Sequence, residues 1–300
     1  MEICISSQIQ LVGTIFAALF GLAFGSFLNV VISRLPEGES IAVPRSHCRN
    51  CDHTLAWWEN LPVLSWLLLR GRCRQCQTRI SIRYPFIELA VGVLWTLCWI
   101  KFGPPVFGQT DGGISLPLPF AYGVARLAGD VLLCWLLVAL AALDIEYLWL
   151  PDRLTLSGLG LGIFWTILEL RSIHASLPQL METAWHRMIA ILACAGIILF
   201  IRLAYWLIRR KEGMGLGDAK LMAMLGAWLG LGNALECLVL SVFTASLAAL
   251  VWMAISAIRG NKQDWAKMPL PLGTFLCLAA LSEIFYPEWL WTWYSRTFLP

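Results

Sequence analysis

Long runs of apolar residues alternate with short polar segments along this chain of 300 residues. A run of about twenty apolar residues is long enough to cross the hydrocarbon core of a bilayer as an α-helix. The pattern predicts eight spans, at residues 9–32, 84–101, 121–143, 154–171, 186–208, 218–232, 233–258 and 271–290. The sixth and seventh are the least distinct, because only residues 230–233 separate them, and together they predict a tight helical hairpin.

Composition and charge agree with this class of protein. Hydrophobic residues make up 59% of the chain and charged residues 14%, which excludes an ordinary soluble domain. The basic residues are concentrated in a few loops, above all between residues 34 and 83, and such loops lie on the cytoplasmic side. We therefore expect lipid rather than nucleic acid around the chain, an extracytoplasmic N-terminus, and a first helix that is not removed as a signal peptide.

Two CxxC motifs stand out among the cysteines. They comprise Cys48, Cys51, Cys73 and Cys76. Four thiolates at this spacing are a usual structural site for zinc, and a small arginine-rich module needs such a metal to fold. Two disulfides are the alternative, but they require an oxidising compartment. His47 and His53 flank the first motif and are predicted to be surface residues, not ligands.

The predicted fold is therefore an all-α polytopic membrane protein with about eight transmembrane helices and a small zinc-binding cytoplasmic insertion. Its predicted domains are a first transmembrane helix at 1–33, a cytoplasmic module at 34–83, and a helical membrane domain at 84–300. Small-residue spacings such as Gly21/Gly25 and Gly226/Gly230 favour close helix packing, although ordinary membrane glycines explain them equally well.

Two aspartates lie at predicted membrane boundaries, where a charged residue is costly and suggests function. Asp144 closes the third span and Asp218 opens the sixth, both on the cytoplasmic side of the predicted topology. Two carboxyls that share one proton supply the base and the acid that peptide hydrolysis needs. Taken singly, Asp218 is equally a first-turn acid or helix cap and Asp144 a residue at the interface with water. The sequence leaves open which carboxyl starts protonated.

Three glycines precede Asp218, at Gly213, Gly215 and Gly217. They remove side-chain bulk, so that a substrate backbone can pass close to the carboxyl, and they permit left-handed backbone conformations.

These motifs give the sequence a resemblance to the type IV prepilin peptidases, the bifunctional leader peptidase/N-methyltransferases of type IV pilus and type II secretion systems. The resemblance extends over nearly the whole chain. It is carried by Gly25-Ser-Phe-Leu-Asn-Val-Val-Ile-Ser-Arg34-Leu-Pro36, Pro44-Arg-Ser-His-Cys48, Trp57-Trp-Glu-Asn-Leu-Pro62, Arg83-Tyr-Pro-Phe-Ile-Glu88, Leu143-Asp144-Ile-Glu146 and Gly213-Met-Gly-Leu-Gly-Asp218-Ala-Lys220.

The resemblance implies a GxGD aspartic protease of the bacterial inner membrane. Asp144 and Asp218 would be its catalytic pair, and Gly215, Gly217 and Lys220 would shape the site. The implied substrate is a prepilin or pseudopilin whose short basic leader, ending in glycine, is cut off at the cytoplasmic face.

The second implied activity methylates the new N-terminal residue with S-adenosylmethionine. It would use the cytoplasmic module. The candidate contributors are Arg34, Trp58, Glu59, Asn60 and Glu88, of which Glu88 is equally a partner for a nearby arginine. The chain has no glycine-rich strand-to-helix signature of a soluble cofactor fold, so this activity rests on the resemblance alone.

The sequence departs from the family pattern at Ser157, at Trp149 and at Leu272-Gly-Thr274, where Phe-Gly-Pro is common. We expect these departures to alter local helix geometry and not the chemistry. Two other functions are weighed: a non-enzymatic docking protein with a zinc-stapled module, and a transporter with Asp130 or Glu169 as an ion relay.

Overall fold

A computed structural model describes residues 2–106, 120–210, 215–258, 270–287 and 292. Within these residues the secondary structure is helical, apart from two isolated β-bridges. The α-helices in chain order are α1 (Glu2–Arg34), α2 (Leu64–Leu68), α3 (Arg83–Val106), α4 (Phe120–Tyr147), α5 (Asp152–Ser172), α6 (Leu177–Arg209), α7 (Leu216–Leu229), α8 (Leu231–Ile258) and α9 (Leu272–Phe285).

The eight helices other than the five-residue α2 occupy the eight predicted segments, which confirms the helical membrane class. Six of them are long and apolar enough to span a bilayer: α1, α3, α4, α5, α6 and α8. The helices α7 and α9 have 14 residues each, and at about 1.5 Å per residue they are shorter than a hydrocarbon core of about 30 Å. Residues 211–214 and 259–269 lie outside the described residues.

The turn predicted between the sixth and seventh spans, which are α7 and α8, is a single residue, Gly230. Gly230 has a φ of +84°, a conformation that glycine adopts without a steric cost, and its N–H donates to the carbonyl of Gly226. Leu229 ends α7 and Leu231 begins α8, so one left-handed glycine redirects the chain between two apolar helices.

The chain forms two compact units, at 1–139 and 140–300, and the division falls inside α4. In the first unit α1 packs along α3, and glycines bring the two helices together. A Cβ at Gly25 would lie 2.7 Å from Cα of Glu88, and one at Gly21 would lie 2.8 Å from Cα of Gly92. The predicted small-residue contact therefore exists at both glycines. The predicted domain boundary at 83/84 differs from this division at 139/140. It marks where the cytoplasmic loop is predicted to end.

Two matching turns organise residues 48–79 of the first unit. Antiparallel bridges join His47 to Thr54 and Arg72 to Arg79, and each closes a loop that contains one CxxC motif. The positive φ angles of Asp52 (+54°) and Gln77 (+59°) let the chain return within a few residues. A short 3₁₀-helix at Trp57–Asn60 and then α2 connect the turns.

In the second unit α7 is the central helix, and α5 and α6 pack against it. Ala219 and the residues from Leu221 to Ala227 are buried in it, whereas the longer helices α6 and α8 expose large apolar side chains suited to lipid. A Cβ at Gly226 would lie 2.8 Å from the carbonyl oxygen of Ala190, so the backbones of α6 and α7 touch at this glycine.

This contact predicts opposite effects for two glycine substitutions in the same helix pair. Gly226→Ala should lower the stability of the protein, because the new methyl group meets backbone and overpacking costs about 1–3 kcal/mol. Gly196→Ala in α6 should preserve or raise stability, because a Cβ there meets nothing within 4 Å and alanine favours the helix. Thermal unfolding in detergent, followed by tryptophan fluorescence, compares the two variants; equal melting temperatures would contradict the contact.

Candidate functional site

The two predicted catalytic aspartates, Asp144 and Asp218, lie in the second unit, close enough for their charges to interact. Asp144 is in the last turn of α4 and is only 5% exposed, so it is not a residue that reaches out into water. Asp218 is half-buried in the first turn of α7, as its alternative interpretation required. The two carboxyls nevertheless interact with each other, and the buried thiol of Cys277 in α9 interacts with both. The fold thus brings together two acids that are far apart in sequence.

Thr274 holds one oxygen of Asp144. Its backbone N–H donates to Oδ2 at 2.6 Å and its hydroxyl donates to the same oxygen at 3.0 Å. The expectation that Leu272-Gly-Thr274 affects helix geometry alone was therefore wrong, because Thr274 contacts a predicted catalytic carboxyl directly. The sequence contained a signal for it, a polar residue just after Pro271 at the start of an apolar helix, but not the identity of its partner.

Glycines give the carboxyl pair its space. A Cβ at Gly273 would lie 3.0 Å from Oδ2 of Asp144 and 2.9 Å from Cδ1 of Leu150, and one at Gly217 would lie 3.0 Å from Cβ of Leu150. Leu150 therefore packs between these two glycines. Gly215 leaves open space near Oδ2 of Asp218, since a Cβ there would have no contact closer than 3.8 Å.

Gly215 and Gly217 do not adopt left-handed conformations. Gly215 has the extended angles φ −72° and ψ 146° and forms the N-cap of α7, and the positive-φ glycines of the described chain lie elsewhere. Gly217 lacks a side chain at the point where Leu150 packs, and its role in admitting a substrate backbone stays a prediction. Gly213 lies outside the described residues.

Lys220, the third residue predicted to shape the site, points to a neighbouring helix. Its Nζ donates to Oδ1 of Asp152 at 2.5 Å, and the two side chains are 34% and 59% exposed. The contact ties the first turn of α7 to the first turn of α5, two residues from Asp218 along the chain.

The four motif cysteines of the first unit form a cluster. Their sulfur atoms all lie within 4.8 Å of one another, and two cross-motif pairs, Cys48–Cys76 and Cys51–Cys73, are 3.7 and 4.0 Å apart. A tetrahedral zinc site with zinc–sulfur bonds of about 2.3 Å places its sulfurs about 3.8 Å apart. The cluster could therefore hold zinc. All four of these cysteines are free thiols in the structure.

The two flanking histidines do not belong to this cluster. The Nδ1 of His47 contacts the carbonyl oxygen of Arg45, and Nε2 of His53 contacts Oε2 of Glu59. The prediction that neither histidine is a ligand agrees with these contacts, although His53 is engaged within the module and is not simply a surface residue.

A cavity of about 480 Å³ lies in the first unit, between the C-terminal part of α1 and the thiol module. Four of the five predicted methyltransferase residues line it: Arg34, Glu59, Asn60 and Glu88. Trp58 is not on its wall and instead packs under the guanidinium of Arg74, 4.8 Å from the ring centre, while Arg74 itself lines the cavity.

Two acceptors on the cavity wall are buried without a hydrogen bond. They are Oδ1 of Asn29 and Oε1 of Glu59. The other oxygen of Glu59 accepts the N–H of Ala56 at 2.8 Å, and this bond, with the nearby His53, keeps the pKa of Glu59 below its usual value despite burial. A buried and ionised carboxylate with one unsatisfied oxygen is unusual outside a binding site.

Arg34 and Glu88, two further polar residues of the cavity wall, form hydrogen bonds with the backbone of the module. The guanidinium of Arg34 donates to the carbonyls of Ser40 and Pro44, at 2.9 and 2.8 Å. Glu88 accepts the N–H of Val63 at 2.7 Å and so restrains a residue with positive φ. Glu88 therefore bonds to backbone instead of forming the ion pair with an arginine that was its alternative.

Asp130, the proposed relay of the transporter hypothesis, is also paired. Its Oδ2 accepts from Nε of Arg126 at 3.0 Å, one turn away in α4. Such an internal pair neutralises a buried charge and gives the transporter interpretation no support.

Comparison with known proteins matches both parts of the chain to related families. Residues 19–102 match the bacterial peptidase A24 N-terminal domain, and residues 131–254 match the type IV leader peptidase family. No solved structure matches the chain.

The similar curated proteins bear the name prepilin leader peptidase/N-methyltransferase. The protein of Aeromonas hydrophila is 35% identical over 94% of this chain and 93% of its own length. Those of Burkholderia pseudomallei (strain 1026b) and Legionella pneumophila are 37% and 34% identical, over 90% and 92% of this chain and 84% and 92% of their own lengths. At this identity and coverage, the chain belongs to the type IV leader peptidase family.

Proposed function

We propose that this protein is a membrane aspartic endopeptidase that removes the basic leader of prepilins or pseudopilins and then N-methylates the new N-terminal residue. The observation that carries the peptidase part is the pair of Asp144 and Asp218, which interact within one helical unit. The family and the names of the similar proteins support the same activity and disfavour the docking alternative.

The chemistry follows from two acids that share a proton. Like charges in a poorly hydrated site do not easily ionise together, so one carboxyl is ready to accept a proton from water while the other is ready to protonate the departing nitrogen. Gly215 leaves room for an extended substrate backbone beside Asp218, Gly217 lets Leu150 pack against the turn that carries this carboxyl, and Lys220 anchors the same helix.

The proposed setting is the bacterial inner membrane, with the N-terminus extracytoplasmic and the module at 34–83 in the cytosol. The arginines of this loop support that orientation. Cleavage at the cytoplasmic boundary would leave the basic leader in the cytosol and the apolar helix of the substrate in lipid. We retain 1–33, 34–83 and 84–300 as the proposed domains.

The peptidase is tested with the purified full-length chain and a pseudopilin precursor that has a Gly-Phe junction. Asp144→Asn and Asp218→Asn should each lower kcat/KM for leader removal by at least about 100-fold, because general acid–base groups contribute about 10²–10⁴-fold. Asp52→Asn, a change of the same kind at an exposed turn, should cleave like the wild type. Full cleavage by either of the first two variants would refute the assignment.

We further propose that Cys48, Cys51, Cys73 and Cys76 bind one structural zinc ion. The sulfur spacing supports four-coordinate binding, and metal would supply the stability that this small module lacks.

Elemental analysis of the purified protein should find about one zinc per chain. The double variant Cys48→Ser/Cys73→Ser should lose it, and the module at 34–83 should become sensitive to limited proteolysis. Cys194→Ala, which removes a buried thiol from α6, should keep the metal. Zinc retained by the double variant would rule out the four-thiolate site.

The methyl group is proposed to come from S-adenosylmethionine bound in the cavity of the first unit. The volume suits a ligand of this size, and Asn29 and Glu59, which line the cavity, are polar groups suited to the hydroxyl and amine donors of such a molecule. Arg34, Asn60 and Glu88 line the same cavity and complete the proposed set, with Trp58 acting through Arg74.

Titration calorimetry of S-adenosylmethionine into the full-length protein measures this site without relying on activity. Glu59→Gln should weaken binding by about tenfold, because it removes the buried charge that faces the donors. Glu182→Gln, an exposed change in α6, should bind like the wild type. Unaltered binding by Glu59→Gln, with intact zinc content, would place the methyl donor elsewhere.

A further inference from the structure

Thr274 fixes Asp144 in a way that distinguishes the two carboxyls. Both Thr274 and Asp144 are 5% exposed, so the two hydrogen bonds on Oδ2 form away from bulk water. The threonine hydroxyl lies closer to Oδ2, at 3.0 Å, than to its other acceptor, the carbonyl of Ala141, at 3.3 Å. Hydrogen bonds to a charged acceptor are about twice as strong as those between neutral groups. Oδ2 of Asp144 is therefore held as an acceptor.

The position of Thr274 in α9 strengthens this effect. It lies in the first turn, where backbone N–H groups carry partial positive charge, and its N–H is closer to Oδ2 of Asp144, at 2.6 Å, than to the carbonyl oxygen of Pro271, at 3.2 Å. Asp144, in α4, accepts a hydrogen bond from this N–H group of α9. Gly273 lets the carboxyl come this close, since a Cβ there would lie 3.0 Å from Oδ2. The start of α9 is thus built around an anionic Asp144.

Asp218 has no comparable support. In the part of the chain that the structure describes, its carboxyl receives no hydrogen bond, and the titratable groups that face it are Asp144 from α4 and Cys277 from α9. The titratable groups that face Asp144 are Asp218 from α7 and Cys277 from α9. A proton shared by this pair is excluded from Oδ2, which already faces two donors, and has its best place on Asp218.

We propose that Thr274 is a positioning residue that assigns the roles of the pair, making Asp144 the ionised base and Asp218 the acid. This inference rests on the proposed peptidase function. Asp144 takes a proton from water as the water oxygen bonds to the scissile carbonyl carbon. The carbon–nitrogen bond then breaks, and the nitrogen keeps the electron pair and takes the proton of Asp218. Transfer of the proton from Asp144 to Asp218 restores the enzyme, and one water is consumed.

The test compares three threonine variants in the leader-cleavage assay. Thr274→Val keeps the shape and the N–H but loses the hydroxyl, and it should lower kcat by about tenfold with KM within about twofold, because the bond acts on the base and not on substrate binding. Thr274→Ser restores a hydroxyl and should recover most of kcat. Thr244→Val, which removes a hydroxyl bonded within α8, should match the wild type.

The pH dependence of kcat/KM identifies which carboxyl is affected. Removing a donor makes the anionic form of Asp144 easier to protonate, so the acid limb of the Thr274→Val profile should move to higher pH. A shift confined to the alkaline limb would mean that Asp144 is the acid, and would overturn the assignment.

The outcomes separate this inference from the peptidase proposal. If Asp144→Asn or Asp218→Asn still cleaves, the peptidase proposal itself fails. If both are inactive but Thr274→Val keeps the wild-type kcat and acid limb, only the role of Thr274 is refuted. A loss in Thr274→Val that Thr274→Ser does not recover also refutes it, since the hydroxyl would not be the cause.

Discussion

The contact between Asp144 and the first turn of α9 is the interaction around which the candidate peptidase site is arranged. A carboxylate in a mostly apolar helical unit is costly unless donors surround it. Thr274 provides two donors, and Gly273 and Leu150 determine how closely the carboxyl, α9 and α7 approach one another. The placement of Asp218 opposite Asp144 depends on the same packing, because Gly217 contacts Leu150 from the other side.

Glycines at three contacts show how a membrane protein brings backbone close to backbone. Gly25 meets Glu88, Gly226 meets the carbonyl of Ala190, and Gly273 meets Asp144. The first two join helices in regions where lipid competes equally for apolar side chains, so that packing depends on close fit rather than on hydrophobicity. The third makes room for a charged group. The residue type is the same, but the partner determines whether it serves stability or the site.

The first unit combines two features that support a second activity. A thiol cluster forms where two matching turns meet, and the backbone between the turns carries Glu59 on a short 3₁₀-helix. Arg34 and Glu88, which line the cavity, form hydrogen bonds with loop backbone, whereas Oδ1 of Asn29 and Oε1 of Glu59 are buried without a hydrogen-bond partner. A rigid module with a few unsatisfied buried acceptors is the usual form of a small-molecule site.

The sequence by itself determined the membrane class, the eight helices, the thiol cluster and the two aspartates as candidates. Each of these depends on local information: the length of an apolar run, the spacing of cysteines, or a charge at the edge of a span. Lys220 and Trp58 were also singled out by local motif, but their partners, Asp152 and Arg74, were not. Only the tertiary structure decided that Thr274, 130 residues away, binds Asp144, and that Asn29 and Glu59 share a cavity. Hydrogen bonds between distant segments depend on how helices pack, and no window of sequence contains that geometry.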